Sequence, residues 1–210
     1  GVLSVPSAHY TDPARWQREM DAIFKRLPLL LALTAELPNS GDYKAMEVVG
    51  LPVLIARNGE GLVQAYLNVC AHRGAPAVED GKGNRSRFTC RYHGWTYAND
   101  GRLRGITDHP KFAAPDYCGR GLTALPCDER AGVIFVVLTP GLPINVPAFL
   151  GDMLADLEQL GLQHCHYCGS REIQGGNWKV AYDGFLEGYH FAALHPNTIH
   201  QRVINNVMHY

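Results

Sequence analysis

The chain has 210 residues, 46% of them hydrophobic, and a formal charge of −1, which fits one large or two small globular domains. It carries no basic run of the kind that binds nucleic acid, and no apolar stretch long enough for a membrane helix: Leu27–Leu33 is short and contains Pro28. The start, Gly1-Val2-Leu3-Ser4-Val5-Pro6, has neither the charged nor the apolar region of a signal peptide, so the sequence reads as cytoplasmic, with neither membrane nor nucleic acid as a partner.

Asp12 and Pro13 are suited to open a helix. Trp16, Met20, Ile23, Phe24 and Leu27 recur on one face of it, and Pro28 closes it. Asn39-Ser40-Gly41-Asp42 is a turn cluster and a candidate domain boundary. From there the pattern predicts short strands at 44–49, 53–56 and 62–68, with Asn58-Gly59 as a hairpin signal. Further strands are expected at 87–89 and across the buried run 132–138, making residues 39–145 a small antiparallel β domain. Residues 117–125 read as irregular. Residues 147–160 read as a helix with Phe149, Met153, Leu154, Leu157 and Leu160 on one face, and 164–173 as strand-like.

Two short motifs inside the β domain carry chemistry. Cys70-Ala71-His72 is C-x-H, and Cys90-Arg91-Tyr92-His93 is C-x-x-H, with seventeen residues between His72 and Cys90. Each turn presents one thiolate and one imidazole, a mixed ligand set. Tetrahedral zinc accepts it, and so does a Rieske [2Fe–2S] cluster, which takes two Cys on one iron and two His on the other. Zinc fingers pair like with like; the interleaving here favours iron–sulfur. The other four of the six Cys, at 118, 127, 165 and 168, read as free thiols, with Cys165-x-x-Cys168 a weak metal or redox signal on its own.

A second block runs Asn177-Trp178-Lys179 through Glu187-Gly188-Tyr189-His190 to His195-Pro196. On a helix Glu187 and His190 share a face. His195 lies five residues on, about 140° round at about 100° per residue, so both imidazoles reach one ion if the helix ends between them, and Pro196 favours that break. Two His and a carboxylate suit a non-haem Fe(II) facial triad.

The wording C-A-H-R-G, C-R-Y-H-G-W and N-W-K…E-G-Y-H-x4-H-P resembles the Rieske non-haem iron oxygenases, the ring-hydroxylating dioxygenase α-subunit family. The resemblance covers nearly all the chain but only the front of that architecture. It implies an α+β fold. An N-terminal helix (1–38) packs on the catalytic domain, an antiparallel Rieske domain follows (39–145), and the start of a helix-grip catalytic domain (146–210) comes last, incomplete in this chain. Respiratory Rieske proteins carry an extra disulfide; Ala75 and Tyr92 stand at those positions here. The implied cofactors are a [2Fe–2S] cluster on Cys70, His72, Cys90 and His93 and a mononuclear Fe(II) on His190 and His195. Glu187 falls on the acid that bridges the cluster of one subunit to the iron of its neighbour. Glu rather than Asp there resembles the subgroup with quaternary-ammonium monooxygenases. Asp183-Gly184 replaces the family's usual Glu-Asn pair. No acidic residue follows Glu187, so either Glu187 is the third iron ligand or the catalytic domain continues beyond this chain; the second is expected. The implied activity is O2-dependent hydroxylation or oxidative demethylation of a small organic substrate, as in aromatic hydrocarbon catabolism. Electrons from NAD(P)H would arrive through a ferredoxin or flavin reductase, in a homotrimer or α3β3 assembly. A Rieske ferredoxin without oxygenase activity explains the first motif but leaves 177–196 without purpose, and a zinc-stabilised binding module is the remaining alternative.

Overall fold

The computed structural model describes residues 4–107 and 119–203, which fall into two compact units, 18–168 and the chain ends. The described strands of the larger unit all pair antiparallel. Its middle sheet has the order β5-β2-β3-β4-β9, from β2 (Asp42–Val48), β3 (Leu51–Arg57), β4 (Val63–Leu67), β5 (Gly81–Asn84) and β9 (Ala124–Leu125). Two three-stranded sheets accompany it. One is β1 (Leu29–Leu33), β11 (Val133–Val136) and β10 (Cys127–Arg130), with β11 in the centre; the other is β6 (Arg87–Thr89), β7 (Thr96–Ala98) and β8 (Leu103–Gly105).

Alternation along the middle sheet explains how three layers form. Val53 and Ile55 of β3 pack with Ala32, Ile134 and Val136. Leu54 and Ala56, pointing the other way, pack with Phe88, Cys70, Cys90 and Trp95. Ala65 and Tyr66 of β4 divide likewise. Both faces of β3 are covered, so it reads as a continuous apolar run and not as an alternating one. In the β3–β4 hairpin, Asn58 Oδ1 accepts from the backbone N–H groups of Glu60 and Leu62, both at 2.9 Å. Arg57, almost fully buried, donates to Leu37 and Gly61 carbonyls and grips Glu129 of β10 at 2.7 Å, while Thr34 donates to the same carboxylate.

Several expectations are corrected. The first helix does not run unbroken to Leu27: α1 (Ala8–Thr11) precedes α2 (Pro13–Glu19), and a π-turn follows at Met20–Phe24. Asp12 does cap α2, accepting from Ala14 N–H at 2.9 Å. Within 117–125, Ala124–Leu125 is a strand pairing with β4, and residues 117 and 118 lie outside the described residues. The helix expected over 147–160 is two, α3 (Val146–Leu150) and α4 (Met153–Gln159), separated by Gly151 in a positive-φ conformation. Leu150 and Leu157 turn to the core while Phe149, Met153 and Leu160 are exposed, so the expected single face is not a buried one. Residues 165–173 form no strand, and among the described residues no strand offers them a ladder.

The second unit, made of the chain ends, holds α1, most of α2, α5 (Trp178–Leu186) and α6 (Phe191–Leu194), and none of these helices contributes a buried residue.

Candidate metal centres

The two Cys/His loops are near copies of each other. In the first, which follows β4, Gly74 N–H donates to Cys70 C=O at 3.0 Å and Cys70 N–H to Ala75 C=O at 2.8 Å. In the second, the β6–β7 hairpin loop, Gly94 N–H donates to Cys90 C=O and Cys90 N–H to Trp95 C=O, both at 2.9 Å. Gly74 and Gly94 both sit at positive φ, +77° and +70°, the conformation that reverses each chain and that glycine adopts without penalty.

The loops bring the four predicted donors together. Cys70 and Cys90 are buried in the same core cluster and their thiols interact. The His72 and His93 rings lie edge to face with centroids 4.5 Å apart. Trp95, itself buried, stacks on His72 at 4.9 Å and 6°. Burial, with a smaller contribution from Cys70, raises the Cys90 pKa, while the backbone N–H groups of Tyr92 and His93 act against it. Desolvation, then His93 and Arg73, lowers the His72 pKa, so this imidazole is held neutral, the form that binds metal. His72 Nδ1 is buried with no hydrogen-bond partner. A buried polar atom without a partner is costly, and a metal ion at that nitrogen would satisfy it. The donor set and the orphaned nitrogen therefore fit a metal group with two thiolate and two imidazole ligands.

Two supporting residues lie outside the two motifs. The Tyr97 hydroxyl lies 3.1 Å from Cys70 Sγ and accepts the Ala71 N–H at 2.9 Å. Buried Asn68 braces the first loop from behind, accepting from Ala77 and Val78 N–H, both at 3.1 Å, and donating to Val78 C=O at 2.7 Å. Both contacts bridge segments that only the fold brings together; a polar residue just ahead of Cys70 in a strand-like run was the one available hint.

The second set sits at a helix break. Asn177 caps α5, its side chain accepting from Lys179 N–H at 3.0 Å. The helix ends at Leu186, and Glu187 is extended, φ −128° and ψ 149°. Glu187 and His190 therefore do not share a helical face as expected; they meet across the turn, with His190 Nδ1 2.6 Å from Glu187 Oε1. Glu187 Oε2 accepts from the backbone N–H groups of Tyr189 and His190. The bond to His190, then the backbone donors, hold the Glu187 pKa below its ordinary value. His190 begins α6 and His195 ends it, the break before Pro196 falling where expected, and the two rings lie 5.6 Å apart. With Nδ1 engaged, Nε2 is the His190 nitrogen left to face an ion. Both Glu187 oxygens accept hydrogen bonds, and the one that meets Nδ1 orients the His190 ring. Among the described residues no three His, Cys, Asp or Glu side chains already converge as for a single ion.

Cys127 is a half-buried thiol whose pKa desolvation pushes up to about 12, with Glu129 and Asp128 adding to the shift. Cys165 and Cys168 are exposed and free, and Cys118 lies outside the described residues.

Two family models match the chain. The family described as Rieske [2Fe-2S] domain matches residues 28–125, and the ring hydroxylating alpha subunit (catalytic domain) family matches 162–210. The chain belongs to the large-subunit family of Rieske non-haem iron oxygenases. The anthranilate 1,2-dioxygenase large subunit of Acinetobacter baylyi is 31% identical over 98% of this chain and 46% of its own length. The glycine betaine monooxygenase oxygenase subunit of Chromohalobacter salexigens is 30% identical over 97% and 45%. The quaternary ammonium Rieske monooxygenase CntA with L-carnitine superposes with a TM-score of 0.85 at 27% identity, covering 95% of this chain and 57% of that one. The chain thus spans about half the length of the curated relatives it matches. The relatives include enzymes named for an aromatic acid and others named for quaternary ammonium compounds, so family membership does not confine the substrate to aromatic hydrocarbons.

Proposed function

We propose that this chain carries the electron-receiving centre and part of the oxygen-activating centre of a terminal oxygenase that hydroxylates or oxidatively demethylates a small organic substrate. Cys70, His72, Cys90 and His93 would hold a [2Fe–2S] cluster, and His190 with His195 a mononuclear Fe(II). When bound, the cluster supplies single electrons and the mononuclear iron supplies O2 activation. The observation that carries this reading over that of a simple electron carrier is the 2.6 Å bond from Glu187 to His190 with His195 close by. A carrier has no use for a second pair of imidazoles, one of them held in a single tautomer by a carboxylate.

The residues divide the work. Glu187 fixes the His190 ring and raises its basicity by accepting from Nδ1. Trp95 covers one face of His72 and excludes water from it. Tyr97 bonds to Cys70 Sγ. No Asp or Glu occurs in residues 188–210, so a carboxylate to complete the facial triad is not among them. The role of Glu187 as a bridge to a neighbouring subunit's cluster is part of this proposal, as are a ferredoxin or flavin reductase donor and a multimeric assembly.

The test uses the full-length protein. His190→Ala is expected to abolish product formation while the visible spectrum of the cluster is retained. Turnover is measured with an aromatic carboxylate and with a quaternary ammonium compound, which separates the two classes of relative. Substrate-coupled O2 uptake and product from His190→Ala would refute the assignment of the second site. A colourless protein with stoichiometric zinc would refute the first.

A further inference from the structure

We propose that Tyr10 is a positioning residue for the second donor set, pinning α5 through Asn177 and Asp183 so that Glu187 is held against His190. The proposal rests on the assignment of His190 and His195 as iron ligands.

On its own α5 is a weak helix. It is nine residues long, none of them buried, and contains Gly184. Isolated helices shorter than about 12 residues are marginal in water, and an interior glycine costs about 1 kcal/mol relative to alanine. Yet Glu187 is the residue at which this helix ends, and its carboxylate orients His190. Fraying of the last turn would displace the carboxylate from the imidazole.

Two of the bonds that oppose fraying come from one residue. Asn177 caps α5 with its oxygen and donates Nδ2–H to the Tyr10 carbonyl at 2.9 Å. The Tyr10 hydroxyl donates to Asp183 Oδ2 at 2.6 Å. Asn177 and Asp183 are six residues apart, about 9 Å along a helix, so Tyr10 spans the first two turns from a position more than 160 residues earlier in the chain. Asp183 lies in the second half of α5, where the helix dipole disfavours a negative charge. A carboxylate there raises the local cost of the helix unless a donor meets it, and Tyr10 is that donor. The bond to Asp183 raises the Tyr10 pKa above its ordinary value, so the hydroxyl keeps its proton throughout the neutral range. The bond is charge-assisted, the stronger class of hydrogen bond.

The experiment measures Fe(II) affinity in the full-length protein, with its cluster loaded and its mononuclear iron removed, by competition with a chromogenic chelator. Amide hydrogen exchange across 178–186 is measured on the same samples. Tyr10→Phe is expected to weaken Fe(II) binding about 3- to 10-fold, at or below the range seen on removing groups that contact metal ligands, and to speed exchange in α5, with the cluster absorbance unchanged. Asp183→Asn keeps an oxygen that accepts from Tyr10 and is expected to hold affinity within about twofold of wild type. Wild-type affinity in Tyr10→Phe, whether or not α5 exchanges faster, would overturn the proposal, because the clamp would then act on the helix alone. His190→Ala separates this failure from the other. If it lowers Fe(II) affinity while Tyr10→Phe does not, only the clamp is refuted. If His190→Ala binds Fe(II) as wild type does, the iron-site assignment is refuted and the clamp with it.

Discussion

Replacing Tyr97 with phenylalanine removes one oxygen atom from a fully buried ring and should alter the first site more than the fold. The hydroxyl accepts the Ala71 N–H and lies 3.1 Å from Cys70 Sγ. A metal-bound thiolate has no proton to give, so in the loaded protein Tyr97 is the donor. Burial first, then the bond to Cys70, raises the phenol's pKa, which keeps that proton in place. A hydrogen bond to a charged acceptor contributes about 1.5–3 kcal/mol against about 1 kcal/mol for a neutral pair. The sulfur gains negative charge on reduction, so the bond should favour the reduced state by about 1 kcal/mol, the difference between those two classes. For a one-electron couple a tenfold change in equilibrium is 59 mV, so Tyr97→Phe should lower the potential by about 40 mV. The unpaired Ala71 N–H should cost about 1 kcal/mol of stability. Redox titration of the loaded full-length protein, followed by visible absorbance, measures the first effect, and urea unfolding the second. A potential within about 10 mV of wild type, with stability reduced as expected, would show that Tyr97 supports the loop backbone and does not act on the sulfur.

Three further outcomes follow from the larger unit. Arg57→Met should destabilise it by about 2–3 kcal/mol in urea unfolding, somewhat below the cost of breaking a fully buried pair because the Glu129 side chain is 28% exposed; adding Glu129→Met should recover part of the loss. The same pair gives an acid dependence: burial raises the Glu129 pKa, but the bonds from Arg57 and Thr34 outweigh it and the net shift is downward, so its stabilising contribution is complete above the ordinary 4.5 and is lost as pH falls through the lowered value, a loss that Arg57→Met should abolish in unfolding curves between about pH 5 and 3. Gly94→Ala should impair cluster retention, since the residue sits at φ +70° and a Cβ there would strike the Thr107 hydroxyl; normal cluster content and stability in this variant would refute the conformational requirement.

What the sequence made legible depended on the range of the cause. The four donors of the first site were readable because metal ligation imposes a spacing within each turn. The middle strands were readable from their apolar runs, although β3, covered on both faces, shows no alternation. β10 was not read, since Cys127-Asp128-Glu129-Arg130 looks like a polar loop and is a strand because β11 pairs with it. In the sequence Leu27–Leu33 reads only as an apolar run too short to span a membrane; pairing with β11, about a hundred residues later, makes Leu29–Leu33 a strand. The composition of 164–173 suits a strand, but among the described residues no strand pairs with this segment. Glu187 and His190 were expected together on a helix; they come together across a helix end, because the carboxylate bonds the backbone of the turn as well as the imidazole. Tyr97 and Tyr10 act through contacts across the fold, which no local pattern reveals.

The order of donors within each loop has a consequence for how the first centre is presented. In both loops the cysteine comes first, soon after β4 in one and directly after β6 in the other, where the chain is still part of the packed core; both thiols are buried beside Phe88, Trp95 and Tyr97. The histidine comes two or three residues later, after the chain has begun to turn outward. His93 is accordingly exposed, and Tyr92, 60% exposed, leans over its ring at 3.9 Å. A group held by these four residues would therefore have its thiolate side inside the protein and its imidazole side toward the surface. Burial keeps the thiolate side away from water, while the imidazole side is the one a docking protein or a neighbouring subunit can approach. Reversing the order to His-before-Cys would keep the ligand set and invert that arrangement. The Cys-first order in both turns thus fixes the outward-facing side of the centre as firmly as the spacing fixes its ligands.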